Sequence, residues 1–172
     1  MLPFGHTAVG YLISQTAKSK LTKTETWAVV AAANIFDLDF FVLTALGQTG
    51  GLHHYFPGHT PLAGVIYWLI YYLFFKSQFS RKAFIFIGLA LLSHLVVDDF
   101  SHWLSLLGLE QNVPSQINWF YPLTQKELMV GQMTNFDVLK IYLLEAPKLF
   151  YLETIVVVSS LVVYFRHHTS KV

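Results

Sequence analysis

Four of the five aspartates in this chain, Asp37, Asp39, Asp98 and Asp99, stand inside its most apolar stretches, with histidines close by. A carboxylate left in such surroundings is costly unless a cation pairs with it. A metal ion held by Asp and His is the most economical partner. The strongest local pattern is Ser93-His94-Leu-Val-Val-Asp98-Asp99-Phe-Ser-His102. Residues four apart share a helix face, so His94, Asp98 and His102 form one stripe, and Asp99 is rotated away from it. An imidazole and a carboxylate one turn apart can bind one ion or two adjacent ones. On a soluble surface the same pair would merely orient His94. Inside an apolar run, ionisable groups are functional by default.

Asp37-Leu-Asp39 is less simple, because residues two apart point to nearly opposite faces of a helix. Both aspartates serve one site only if the backbone is irregular there, and Asp39 is the preferred direct ligand. The segment Gly51-Leu-His53-His54-Tyr-Phe-Pro-Gly58-His59-Thr60-Pro61 presents three histidines between glycine-flanked turns. Thr60-Pro61 reads as a helix start, with Thr as N-cap and Pro at the first helical position. His59 then stands immediately before that helix. His6 joins the candidates only through its expected depth.

Hydrophobic residues make up 54% of the 172, and charged residues only 12%, about half the usual share for soluble domains. That is a membrane composition in a chain of single-domain length. A net charge of +1, with no basic stripe, gives no hint of nucleic-acid binding. Cysteine is absent, which excludes disulfides and thiolate metal sites. Met1 to His6 has no positive n-region of a cleavable signal, so insertion is expected to use the apolar segments themselves.

Five apolar helical segments are expected to position the polar residues: Phe4 to Ala17, Trp27 to Leu46, Pro61 to Phe75, Ala83 to Leu109 and Leu149 to Phe165. The first, third and fifth are short for a perpendicular crossing, and flanking Tyr, Trp and Lys would extend them into the interface. Lys18, Lys20 and Lys23 follow the first segment, Lys76, Arg81 and Lys82 the third, Arg166 and Lys171 the fifth. With those three sites cytoplasmic, the five segments alternate without conflict. His6, Asp37, Asp39, the loop histidines, Asp98 and His102 then meet at one level near the outer face. Only His167 and His168 fall on the other side, in a basic tail.

The ordered set resembles small bacterial inner-membrane proteins of the YdjM type, described as membrane-bound metal-dependent hydrolases. That family has an early His, a Pro-Asp-x-Asp motif, a His-Arg-Gly-x-Thr-His-Ser loop, a His-x-x-x-Asp helix and an aromatic-Pro element. Here His6, Asp37-Leu-Asp39, His54 to Thr60, His94 to Asp98, and Trp119 to Leu123 occur in that order. There are departures: Phe36 replaces the Pro, Tyr55 the Arg, and Thr60 the Ser. The missing Arg would be the natural clamp for a phosphate oxygen, and the chain's only arginines are Arg81 and Arg166. The Asp and His spacing also resembles, distantly, zinc-dependent phospholipase C.

These observations together lead to an all-α, multi-span transmembrane bundle of about five helices forming a single domain over residues 1–172. His54, His59, His94, Asp98 and Asp39 are the expected metal ligands, with His6 and His102 as second choices. Asp37 or Asp99 is the expected proton acceptor. The cofactor is a divalent ion, zinc foremost, with manganese or iron also compatible, and one or two ions fit the ligand supply. The expected activity is hydrolysis of a lipid or lipid-linked phosphoester by metal-activated water at the inner membrane. The alternatives are a metal or proton transporter, or a non-catalytic scaffold that binds a partner through residues 110–148.

Overall fold

The computed structural model describes residues 2–17, 20–47, 53, 54, 56–110, 113–124, 136, 140, 143, 144 and 147–169, with the His168 side chain excepted. Tyr55, Lys18, Lys171 and much of the 110–148 region lie outside the described residues. The described chain is all-helical. It comprises α1 (Pro3–Gln15), α2 (Lys23–Ala32), a 3-10 turn (Ile35–Asp37), α3 (Leu38–Ala45), α4 (Pro61–Phe75), α5 (Arg81–Asp98), α6 (Phe100–Leu106) and α7 (Pro147–Thr169).

Local chemistry explains the starts. Pro3 and Pro61 occupy the first positions of α1 and α4, where a missing N–H costs nothing. The Thr60 hydroxyl accepts from the Ala63 amide at 3.3 Å, so the expected N-cap is in place. Thr22 and Glu25 form a capping box at α2. The Glu25 carboxylate accepts from the amides of both Thr22, at 2.8 Å, and Ser80, at 2.7 Å. It thereby holds the N-termini of α2 and α5 together, and both helices run from there to the Asp-bearing end.

Helix α5 is the centre of the fold, packing against α1, α2 and α4, while α7 packs on α1. The core between them includes Val29, Ala32, Phe36, Ile87, Ala90 and Leu95. Small residues on α2 allow close approach, and Gly10 on α1 has no room for more: a Cβ there would lie 2.7 Å from that of Ala33. Leu73, Phe74, Ile155 and Phe165 are instead exposed on the outward faces of α4 and α7. Such faces are solvated by lipid tails rather than water.

Among the described residues, the helices do not confirm five spans. Lys148–His167 is long and apolar enough to cross a bilayer, and the described residues supply up to three spans if each bent pair is one. Those pairs are Lys23–Ala32 with Ile35–Ala45, bent by 50°, and Arg81–Asp98 with Phe100–Leu106, bent by 66°. The apolar runs continue through both breaks in the sequence, but the helical backbone does not. Asn34–Asp37 and Asp99 interrupt it at the polar residues themselves. At about 1.5 Å per residue, α1 and α4 also fall short of a bilayer core roughly 30 Å thick.

Candidate metal centre

Asp98 ends α5 with a fully buried carboxylate, and four imidazoles converge on it. His94, one turn earlier, lies with Nε2 3.0 Å from Oδ2. His59, immediately before α4, places its Nε2 3.0 Å from the same oxygen. His54 reaches it at 3.4 Å from the 53–60 loop. His6, on the first turn of α1, lies 3.0 Å from Oδ1. Asp37, at the end of the 3-10 turn, brings Oδ1 within 3.8 Å of His94 Nε2 and 3.7 Å of His53 Nε2.

Tautomers follow from the surrounding backbone. His94 Nδ1 lies 2.7 Å from the Ala33 carbonyl, which can only accept, so Nδ1 carries the proton. Nε2, the other ring nitrogen, is turned to the centre, 3.2 Å from His59 Nε2. Burial, opposed by the Asp98 carboxylate, holds His59 down at about 3, so its ring is neutral at ordinary pH. Imidazole nitrogens thus face one another and a buried carboxylate. His54 Nε2 and Asp37 Oδ2 are buried without a hydrogen-bond partner, each such atom costing on the order of 1–3 kcal/mol.

A divalent cation would give the imidazole nitrogens a partner. Two donors about 2.1 Å from one ion are about 3.0 Å apart at a right angle and about 3.4 Å apart at the tetrahedral angle. The separations of 3.0–3.4 Å between Asp98 and the four imidazoles fall in that range. The donor types, imidazole and carboxylate without thiolate, suit zinc, manganese or iron. The residues present fit a metal.

The walls hold the rings in place. His6 and His94 stack with centroids 3.8 Å apart. Phe36, fully buried, packs against His59 at 5.3 Å and His94 at 5.0 Å. The position that departs from the family's Pro thus supplies a rigid apolar backing.

Three sequence expectations go elsewhere. Asp37, not Asp39, faces the imidazoles. The 3-10 turn provides the irregular backbone that the two-residue spacing requires, but it delivers only one carboxylate. Asp39 lies against the loop instead, where a Cβ on Gly58 would fall 2.5 Å from its Oδ2. His102 leaves the His94–Asp98 stripe because the break at Asp99 swings α6 by 66°, and its Nδ1 meets the Val113 carbonyl at 2.8 Å. Asp99 accepts from Ser115 Oγ at 2.5 Å, the Gln116 amide at 2.6 Å and Trp119 Nε1 at 2.7 Å. It anchors the segment after α6 rather than facing the imidazoles, so the proton-acceptor role expected of it does not suit its surroundings. That anchoring is also what Trp119, in the expected aromatic wall, does: it donates to Asp99 and packs on Trp103 at 5.5 Å.

His53 was not among the expected ligands. Its ring lies 4.0 Å from that of His54, and it closes a group with His54 and His59 whose ligand atoms lie within 4.8 Å of one another. The adjacency of His53 and His54 was the only signal in the sequence, and neighbouring residues usually diverge.

No curated protein and no solved structure matches the chain. The family model described as YdjM inner membrane protein matches residues 1–169, nearly the whole length, and the chain belongs to that family of inner membrane proteins.

Proposed function

We propose that this protein is a membrane-embedded metal-dependent hydrolase of a lipid or lipid-linked phosphoester. The observation that carries the reading is the convergence of His6, His54, His59 and His94 on the buried carboxylate of Asp98. A divalent ion bound there would lower the pKa of a bound water to about 7 and polarise the ester. The chain's own residues have separable parts. Asp98 and the imidazoles would hold the ion, and the Ala33 carbonyl orients the His94 ring through Nδ1. Asp37 Oδ2, buried and without a hydrogen-bond partner, is placed to take the proton released from water. Phe36 excludes solvent from one side.

The depth of the site supports a membrane substrate. Lys23 and Arg81 begin the two helices whose far ends carry the centre. By the positive-inside rule those beginnings are cytoplasmic and the centre lies towards the outer leaflet, level with headgroups. A translocation path would need polar groups continuing towards the charged end. The packing there is Val29, Phe84, Ile87 and Leu91, which favours a hydrolase over a transporter.

The test is hydrolysis by detergent-purified protein loaded with zinc or manganese, offered a panel of lipid phosphoesters beside a water-soluble phosphoester. Metal-dependent turnover of a lipid substrate, lost in Asp98→Asn and Asp37→Asn, is the expected result. A metal-replete, folded protein that turns over nothing on the panel would sink the reading.

A further inference from the structure

We propose that the centre is dinuclear, with the Asp98 carboxylate bridging two divalent cations, one held by His6, His94 and Asp37 and the other by His53, His54 and His59. This deepens the metal-centre reading above and rests on it. The two triads share no residue, and within each the ligand atoms lie within 4.8 Å of one another. A third triad, His59, His94 and Asp98, takes one residue from each and adds the carboxylate between them. Asp98 faces both groups: Oδ1 lies 3.0 Å from His6, while Oδ2 lies 3.0 Å from both His94 and His59 and 3.4 Å from His54. The groups touch where His94 Nε2 and His59 Nε2 approach to 3.2 Å.

Donor supply decides between one ion and two. Seven side chains surround the centre, and a four-coordinate ion would leave three of them idle in a buried pocket. Two ions sharing Asp98 would each have three ligands of their own and one carboxylate oxygen, and expansion to five-coordinate would admit water or an ester oxygen. Charge points the same way. Asp37 and Asp98 neutralise one divalent ion, so a second leaves about two positive charges for an anionic ester oxygen. No arginine can do this. Arg81 begins the helix that Asp98 ends, roughly 25 Å away at about 1.5 Å per residue. Arg166 is 13 residues beyond Glu153, which touches the start of α1, or about 20 Å along α7. The second ion takes the place of the guanidinium that Tyr55 replaces. Its ligand class is the anionic phosphoester, held between two cations as in two-metal hydrolysis.

The test is metal stoichiometry and magnetic coupling in purified full-length protein, using Mn(II) as the probe. Mass spectrometry is expected to find two equivalents per chain, and electron paramagnetic resonance an exchange-coupled spectrum. His6→Ala and His54→Ala are each expected to retain one equivalent and to give the six-line signal of an isolated ion, while Asp98→Asn loses the coupling. Circular dichroism on each variant confirms retained helix, and any misfolded variant is replaced by His6→Gln or His54→Gln. One equivalent in the wild type under excess metal, or two without coupling, overturns the proposal and leaves the single-metal hydrolase standing. No metal at all overturns both.

Discussion

The carboxylate of Glu153 accepts a hydrogen bond from the backbone amide of Gly5 at 2.9 Å, one residue before His6. Its other oxygen accepts from the Leu2 amide at 3.2 Å. The last helix thus caps the first, and the cap holds the turn that delivers His6 to Asp98. An acceptor at a helix N-terminus satisfies orphan amides and favours the helix dipole. Glu153→Ala is expected to destabilise the protein by about 1–3 kcal/mol and to weaken metal retention. Glu153→Gln should keep part of both. Thermal melting and metal content after dialysis, measured side by side, check the pair. Wild-type metal retention in Glu153→Ala would separate the cap from the centre.

Adjacent aspartates should behave differently. Asp98→Asn removes the charge on which four imidazoles converge, and metal affinity should fall at least about 100-fold. Asp99→Asn sets an amide against the donors of Ser115, Gln116 and Trp119. It should cost on the order of 3 kcal/mol of stability and leave metal stoichiometry unchanged. Competition with a chromophoric chelator and a melting curve distinguish the two effects.

A methyl group on Gly58 would lie 2.5 Å from Asp39 Oδ2, so either that carboxylate or the loop must shift. Gly58→Ala should displace the loop beside His59, lowering metal affinity, and Gly58→Val should lower it further. Chelator titration of the series checks the order. Equal affinities would mean that the loop yields without moving His59.

If an ion occupies the centre, its removal would leave the ligand atoms facing one another in a buried pocket. Chelation should therefore lower the melting temperature by about 5–10 °C, from the stabilisation of about 3 kcal/mol that a ligand at 100 times its Kd provides. Adding zinc or manganese back should restore it, and magnesium, which prefers oxygen donors, should not. Melting curves on one preparation before and after chelation settle it.

The i, i+4 pairing of His94 with Asp98, the Thr60-Pro61 helix start and the membrane composition were all legible because each depends on neighbours a few residues apart. Helix periodicity places His94 and Asp98 on one face whatever else the chain does. The same periodicity misplaced His102, since it assumes a helix that runs through Asp99. Side-chain hydrogen bonds to Asp99 from a segment 16 to 20 residues later hold the chain where the helix breaks. Span counting has the same limit, because hydropathy registers apolar content and not the backbone breaks at Asn34–Asp37 and Asp99.

By itself the sequence determined a helical membrane protein in which Asp and His stand among apolar residues, where a cation is the natural partner. Charge cannot be left bare in an apolar medium, so that much follows from composition and spacing. Tertiary structure alone decided which of those residues meet. His6, Asp37, the loop histidines and the His94–Asp98 pair are separated by 16 to 92 residues where they come from different elements. Their convergence depends on the Glu153 cap on α1, the small residues that let α1 and α2 approach, and the backbone break that turns Asp37 inward and Asp99 away. Long-range packing sets those distances, and no local pattern encodes them.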